Sequence, residues 1–284
     1  MIQRPYQQVD VFTATPYLGN PVAVVLQADG LDDNTMQRFA HWTNLSETTF
    51  LLQPTEAEAD YRVRIFTPGG ELQFAGHPTL GSCHAWLAAG GTPRSGECIV
   101  QQCGVGLVRI RRDGAALAFG APALTRTNAD PAMLRAVTAA LGLQPAQVVS
   151  AQLLDNGTSW LGLLLDTAAT VTGLRPDFGR LAATRLKVGV AAVRGAAGPG
   201  DDHHLEVRGF APHLGVNEDP VTGSLNASLA QWLVAEGHMA AHYVAAQGAA
   251  LGRAGRVAID SDATTGQVWV GGQAITCISG TVQL

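Results

Sequence analysis

The sequence predicts an α/β protein made of two similar halves. Three observations lead there. Short apolar runs with strand periodicity alternate with helical patterns through both halves of the chain. A twelve-residue stretch recurs half a chain apart. His77-Pro-Thr-Leu-Gly-Ser-Cys-His-Ala-Trp-Leu-Ala88 aligns without gaps with Asp219-Pro-Val-Thr-Gly-Ser-Leu-Asn-Ala-Ser-Leu-Ala230, agreeing at Pro, Gly, Ser, Ala, Leu and Ala. The length, 284 residues, suits two domains of ordinary size. The expectation is two copies of one α/β unit facing each other across a pseudo-twofold axis, with a ligand cleft between them.

In chain order, residues 8–13 and 21–26 read as strands around the Gly19-Asn20 turn signal. Asp33 caps a helix whose apolar positions are Met36, Phe39, Ala40 and Trp42. Residues 48–53 and 61–66 are strands; Arg62 and Arg64 alternate with Val63 and Ile65, so one face is wet. A small-residue helix follows Pro78 over 79–89, and a hairpin spans 105–111 and 115–119 around Asp113-Gly114. Residues 121–130 read as a linker. In the second half, Pro131–Leu141 is a helix, and 159–165, 186–193 and 204–209 are strands. A second small-residue helix covers 221–235, and strands at 255–260, 266–271 and 275–283 close the chain. The Gly-rich stretch 195–201 is a flexible connection, and the scattered tryptophans are assigned to the core.

Composition removes several functions. Hydrophobic residues make up 46% and charged residues 14%, enough for sizeable cores and too few charges for a disordered chain. The net charge of −5 argues against a nucleic-acid binder. No run reaches the roughly 20 apolar residues of a membrane span, and the start has no signal-peptide apolar core. Cys83, Cys98, Cys103 and Cys277 lack Cys-x-x-Cys spacing, so neither a zinc site nor a disulfide framework is expected. A reducing cytoplasm is the expected location. Asp201, Asp202, His203 and His204 read as a polar loop entering a strand rather than a metal site, because neighbouring strand residues point to opposite faces.

Chemistry concentrates at the two echoed turns. Each helix is read as starting at its proline, with His77 and Asp219 at the cap positions. The amides of Thr79–Gly81 and of Thr222, Gly223 and Ser224 would then point out of the helix ends. Gly81 and Gly223 permit close approach. Two such ends would bind a carboxylate or a developing enolate; ordinary capping is the other reading, strongest for Asp219. Glu47 lies between a helix and a strand. It is either a solvated surface residue or a general base, and the second role needs a pKa raised by apolar neighbours such as Leu45 and Phe50. The sequence has no Gly-x-Ser-x-Gly elbow, Walker loop or Gly-x-Gly-x-x-Gly helix start.

Asn44-Leu-Ser-Glu-Thr-Thr-Phe50, Phe66-Thr-Pro-Gly-Gly-Glu-Leu-Gln-Phe-Ala-Gly-His-Pro-Thr-Leu-Gly-Ser82 and Glu218-Asp-Pro-Val-Thr-Gly-Ser224 resemble the phenazine-biosynthesis PhzF-like family. Val9-Asp-Val-Phe12 and Gly19-Asn-Pro-Val-Ala-Val24 are similar to its opening. The resemblance implies a diaminopimelate-epimerase-like fold, each half a curved mixed sheet around a central helix. The boundaries it suggests are 1–121 with the returning strands 266–284, and 122–265. It implies a cofactor-free, metal-free homodimer that isomerises trans-2,3-dihydro-3-hydroxyanthranilate. Glu47 matches the proton-moving base, His77 and Asp219 the flanking polar pair, and Gly76 and Ser224 substrate contacts. The two cysteines of related amino-acid epimerases have no counterpart; Ala75 and the Glu218-Asp219 pair stand there. Leu225 is bulkier than is usual in the family and is read as a mark of a different substrate.

The leading expectation is a cofactor-independent isomerase acting by acid/base proton transfer on a small carboxylate, cyclic or amino-acid-like. The alternatives are an epimerase or racemase without the cysteine pair, and a non-catalytic binder of small carboxylates.

Overall fold

The computed structural model describes residues 2–96, 98–194 and 202–284, so the 195–201 connection lies outside the described residues. The chain forms two compact units, Met1–Gly120 with Gly271–Leu284, and Ala121–Val270.

The first unit contains β1 (Gln3–Val11), β2 (Asn20–Val25), α1 (Asp33–Thr43), β3 (Thr48–Leu52), β4 (Tyr61–Thr67), β5 (Gly70–Leu72), α2 (Gly76–Ala88), β6 (Ile99–Cys103), β7 (Gly106–Asp113) and β8 (Ala116–Gly120). β1 and β2 are antiparallel, β2 and β3 parallel through α1, and β3 and β4 antiparallel. β5 hairpins onto β4, α2 carries the chain across to β6 parallel to β4, and β6, β7 and β8 form a meander. Asp32, one residue before the expected cap, holds the start of α1 by accepting from the Thr35 amide.

The second unit contains β9 (Thr125–Asn128), α3 (Pro131–Leu141), β10 (Val148–Asp155), β11 (Ser159–Leu165), α4 (Ala168–Gly173), α5 (Phe178–Ala183), β12 (Val188–Val193), β13 (Leu205–Ala211), β14 (Val216–Asp219), α6 (Gly223–Ala235), β15 (His242–Gln247) and β16 (Gly255–Ser261). Its pairing repeats that of the first unit. β10 and β11 are antiparallel, β11 and β12 parallel, β12 and β13 antiparallel, β14 folds back on β13, and β15 runs parallel to β13. The last strand, β17 (Val268–Gln283), begins in the second unit and continues into the first. There it lies antiparallel to β1, from Ala274 opposite Val11 to Gln283 opposite Gln3. It is one strand where two were expected, and the expected linker at 121–130 contains β9, paired with β10.

In each unit one helix is buried on nearly every side. α2 packs on β1, β2, β3, β6 and β8, and α6 on β10, β11 and β16. Neither has a polar face, because both are covered by sheet. Small residues set the approach distance. A Cβ on Gly81 would lie 2.4 Å from Val22 Cγ1, and one on Gly189 would lie 2.2 Å from Leu225 Cδ1. Leu225 is therefore fully buried, with the bare Gly189 of β12 leaving room for it. Trp160 and Trp232 lie in the core as expected, whereas Trp42 is 78% exposed and stacks on Phe39. Among the described residues no helix is long and apolar enough to cross a membrane.

Candidate active site

In the first unit the local sequence brings Glu47 onto His77. α1 ends where Asn44 takes a left-handed conformation (φ 53°, ψ 28°) and donates its amide to the Ala40 carbonyl. Thr43 Oγ1 bonds Thr48 Oγ1 at 3.0 Å, which turns the chain into β3 with Glu47 just before it. Glu47 Oε2 lies 3.4 Å from His77 Nε2, with 16% of the Glu47 side chain and 6% of the His77 side chain exposed. On the other side of the ring, Asn20 Nδ2 lies 3.4 Å from His77 Nδ1. With the Asn20 amide nitrogen as donor, Nδ1 is the acceptor, and a ring in its neutral form then carries its proton on Nε2, the nitrogen nearer Glu47. Asn20 is itself fully buried at the start of β2, beside a turn that Asp10 pins by accepting from the Gly19 amide at 3.0 Å.

The start of α2 differs from the expectation. The helix begins at Gly76, and the first intrahelical bond runs from the Thr79 amide to the Ala75 carbonyl at 3.1 Å. His77 is thus the second residue of the helix and not its cap. Pro78 is third, where a missing N–H still costs nothing. The amides that precede the intrahelical ladder are those of Gly76 and His77, so Thr79 is not among them.

In the second unit Asp219 ends β14, opposite Gly209 of β13. Pro220 and Val221 precede the helix, Thr222 is the cap residue, and α6 starts at Gly223, so this proline is not the first helical residue either. The Asn226 amide makes the first intrahelical bond, to the Thr222 carbonyl at 3.1 Å. The Gly223 and Ser224 amides therefore belong to the open first turn, as expected. The Thr222 amide instead donates to Gln247 Oε1 at 3.0 Å, and its hydroxyl donates to Asp219 Oδ2 at 2.7 Å. Trp160 Nε1 donates to Ser224 Oγ at 3.2 Å. Because indole is only a donor, the Ser224 hydroxyl keeps its own proton for a further acceptor. Next to Asp219, Glu218 forms a two-pronged pair with Arg208 (2.9 and 2.8 Å), both side chains at most 5% exposed.

Matching the units strand by strand corrects the register of the echo. Tyr61 of β4 pairs with Gln101 and Leu205 of β13 with Ala245, a common offset of 144. The helices start at Gly76 and Gly223, an offset of 147, against 142 in the sequence echo. The positional counterpart of His77 is therefore Ser224, and that of Asp219 is Leu72, since Leu72 opposes Ile65 as Asp219 opposes Gly209. Pattern reading singled out Glu47, His77, Asp219 and Ser224 as candidates and gave no site role to Asn20, Trp160, Arg208 or Gln247. Gln247 carried a signal, a polar residue ending the apolar run Tyr243–Ala246.

Two other clusters are accounted for. His203 Nδ1 lies 2.9 Å from Asp202 Oδ1, and Nε2 lies 3.2 Å from Glu206 Oε2 and 3.0 Å from Arg194 Nη1; Asp201 is outside the described residues. Cys83 is buried within α2, and burial pushes its thiol up to about 12, which suits a packing residue and not a nucleophile.

The two repeated units define a sheet-dominated α/β protein of the diaminopimelate-epimerase-like class, as the motifs implied. The family described as phenazine biosynthesis-like protein (PhzC-PhzF) matches residues 9–280, and the chain belongs to that family. It is 38% identical over 294 residues to antisense-enhancing sequence 1 of Schizosaccharomyces pombe, covering 99% of each chain. It is 35% identical over 228 residues to trans-2,3-dihydro-3-hydroxyanthranilate isomerase of Pseudomonas aeruginosa, covering 79% of this chain and 78% of that one. Its fold is that of a phenazine biosynthesis protein of the PhzF family from Bacillus anthracis, with a TM-score of 0.86, 21% identity and complete coverage of both chains. The protein is an isomerase.

Proposed function

We propose that this isomerase moves a carbon-bound proton on a small, carboxylate-bearing substrate, without metal or organic cofactor, and that Glu47 is the base. The observation that carries the reading is the shielded pair of Glu47 and His77, 3.4 Å apart. A carboxylate with little solvent around it is a better proton acceptor than one in bulk water. His77, its Nδ1 occupied by Asn20, presents Nε2–H toward the same carboxylate. In the forward step Glu47 takes the proton from carbon and the electron pair moves into the conjugated system. In the return step the same carboxyl group gives the proton to a second carbon, so atoms and charge balance without an oxidant. Gly76, Gly223 and Ser224 contact the substrate through first-turn amides and a hydroxyl, donors suited to a carboxylate. Asp219 contributes an acceptor for a substrate amine or hydroxyl.

Trans-2,3-dihydro-3-hydroxyanthranilate, the substrate named for the P. aeruginosa relative, is the first compound to test. In deuterated water the product should carry deuterium at the carbon that receives the proton. Glu47→Gln should slow that exchange by about 10²–10⁴-fold with the fold intact, and EDTA should leave it unchanged. Exchange at the wild-type rate in Glu47→Gln rejects Glu47 as the base. Inversion at one carbon with no moved double bond would make the enzyme an epimerase instead.

A further inference from the structure

The buried amide of Gln247 reaches the first turn of α6 from the end of β15, and all four of its hydrogen-bonding positions are used. Its Oε1 accepts from the Thr222 amide at 3.0 Å and from Asn226 Nδ2 at 2.9 Å. Its Nε2 donates to the Asp219 carbonyl at 3.0 Å and to Thr222 Oγ1 at 2.9 Å. Two donors on one side and two acceptors on the other fix which end of the amide is oxygen. The Thr222 hydroxyl, already accepting from Gln247, must aim its own proton elsewhere, and Asp219 Oδ2 lies 2.7 Å away. The chain from Gln247 through Thr222 to Asp219 thus runs one way.

The surroundings make room for this arrangement. A Cβ on Gly209 would lie 2.9 Å from Thr222 Oγ1, and one on Gly255 would lie 2.3 Å from Val221 Cγ2. Gly248, next to Gln247, has φ +100° and would place a Cβ 2.6 Å from the Pro220 carbonyl. Gln247 itself is 1% exposed, so its hydrogen bonds face little competition from water.

We infer that Gln247 is a positioning residue: by orienting the Thr222 hydroxyl it holds the Asp219 carboxylate as a hydrogen-bond acceptor toward substrate. This rests on the proposed function, in which Asp219 contacts substrate, and it moves Thr222 from substrate contact to support. Gln247 does not touch substrate and acts only through its neighbours.

The test compares Thr222→Val, which keeps the shape and loses the hydroxyl, with Thr222→Ser, which restores it, and with Gln247→Leu. The first readout is the kcat and KM of deuterium exchange. Misplacing one contact group can cost about 10²-fold, so Thr222→Val and Gln247→Leu should lose about 10–10²-fold in kcat, and Thr222→Ser should recover it to within about threefold. The second readout needs no turnover: the ¹³Cγ resonance of Asp219 should move in Thr222→Val and Gln247→Leu and return in Thr222→Ser. If Glu47→Gln abolishes exchange while Thr222→Val keeps the wild-type kcat, the inference is overturned and the proposed function stands. If the wild type catalyses no exchange, the proposed function falls, and an Asp219 resonance unmoved by Thr222→Val overturns the inference separately. Urea midpoints near the wild-type value identify the variants that are folded; should Gln247→Leu fail this check, the Val and Ser pair decides.

Discussion

Removing the carboxylate of Glu218 should be far more costly than removing that of Glu71, although both carboxylates grip an arginine with the same fork. Glu218 accepts from Arg208 Nε and Nη2 at 2.9 and 2.8 Å, with 4% and 5% of the two side chains exposed. Glu71 accepts from Arg64 Nε and Nη2 at 2.7 Å each, with 34% and 17% exposed. Arg64 also has Asp33 at 2.6 Å, in a position open to water. Glu218→Ala strands the Arg208 guanidinium between the Val171 and Leu174 carbonyls and the Phe210 ring, where solvent cannot replace the lost charge. Losing one partner of a buried pair costs about 3–5 kcal/mol, against about 0–1 kcal/mol for a water-exposed pair. Total stabilities of about 5–15 kcal/mol make the first loss a large fraction of the whole. With a urea slope of about 1–3 kcal/mol per molar, the midpoint of the second unit should fall by at least about 1 M in Glu218→Ala. It should barely move for the first unit in Glu71→Ala. Added salt should narrow the Glu71 effect and leave the Glu218 effect nearly unchanged. Tryptophan fluorescence and amide exchange in β13 and β4 would follow the units separately. Equal costs for the two variants would refute the claim that burial, and not the number of hydrogen bonds, sets the difference.

Two further predictions follow from packing and titration. Gly81→Ala should destabilise the first unit by about 1–3 kcal/mol, because overpacking against Val22 Cγ1 outweighs the roughly 1 kcal/mol helix preference of Ala over Gly. A double variant with Val22→Ala should recover part of the loss in urea melts, and a stabilised single variant would contradict the contact. His84 is held by Thr276 Oγ1 at 3.0 Å, and burial lowers its pKa below 6.5. The unfolded chain then binds the proton first, so this contribution is complete above the unfolded pKa of about 6.5 and is lost as pH falls below it, with a slope of at most about 1.4 kcal/mol per pH unit. His84→Gln should flatten that part of the stability–pH curve, and an unchanged slope would show that His84 does not set it.

What the sequence displayed depended on how each segment meets solvent. Tyr61–Thr67 alternates buried and half-buried residues, so its period of two could be read directly. Thr125–Asn128 is exposed at every position and has no apolar period, so it passed for a linker although it pairs with β10. α4 and α5 have six residues each, too few for a 3.6-residue period to emerge. The expected strands 266–271 and 275–283 left a gap beginning at the paired glycines 271 and 272. A Cβ on Gly271 would lie 2.5 Å from the Leu117 carbonyl, so that glycine permits a close backbone approach inside one continuous strand. His77 stood out because histidine is a poor helix cap, whereas Glu47 read equally as a surface residue until its motif was matched to the family. Asn20 and Gln247 did not, since their importance lies in long-range partners that periodicity cannot reveal.

The repeat also bears on how chemistry is divided within the chain. Read from sequence alone, His77 and Asp219 looked like the same position in two copies, and the resemblance made them a polar pair flanking the substrate. The strand and helix registers separate them: the second residue of the helix is an imidazole in α2 and a hydroxyl in α6, while the carboxylate of the second unit sits at the end of a strand where the first has Leu72. Their supports differ accordingly. His77 has Asn20 Nδ2 at its Nδ1 and Glu47 at its Nε2. Asp219 accepts from the Thr222 hydroxyl, which itself accepts from Gln247. One unit therefore sets an imidazole beside a carboxylate, and the other bonds its carboxylate through a neighbouring hydroxyl. A repeated fold has been kept while the side chains at its two helix starts have diverged.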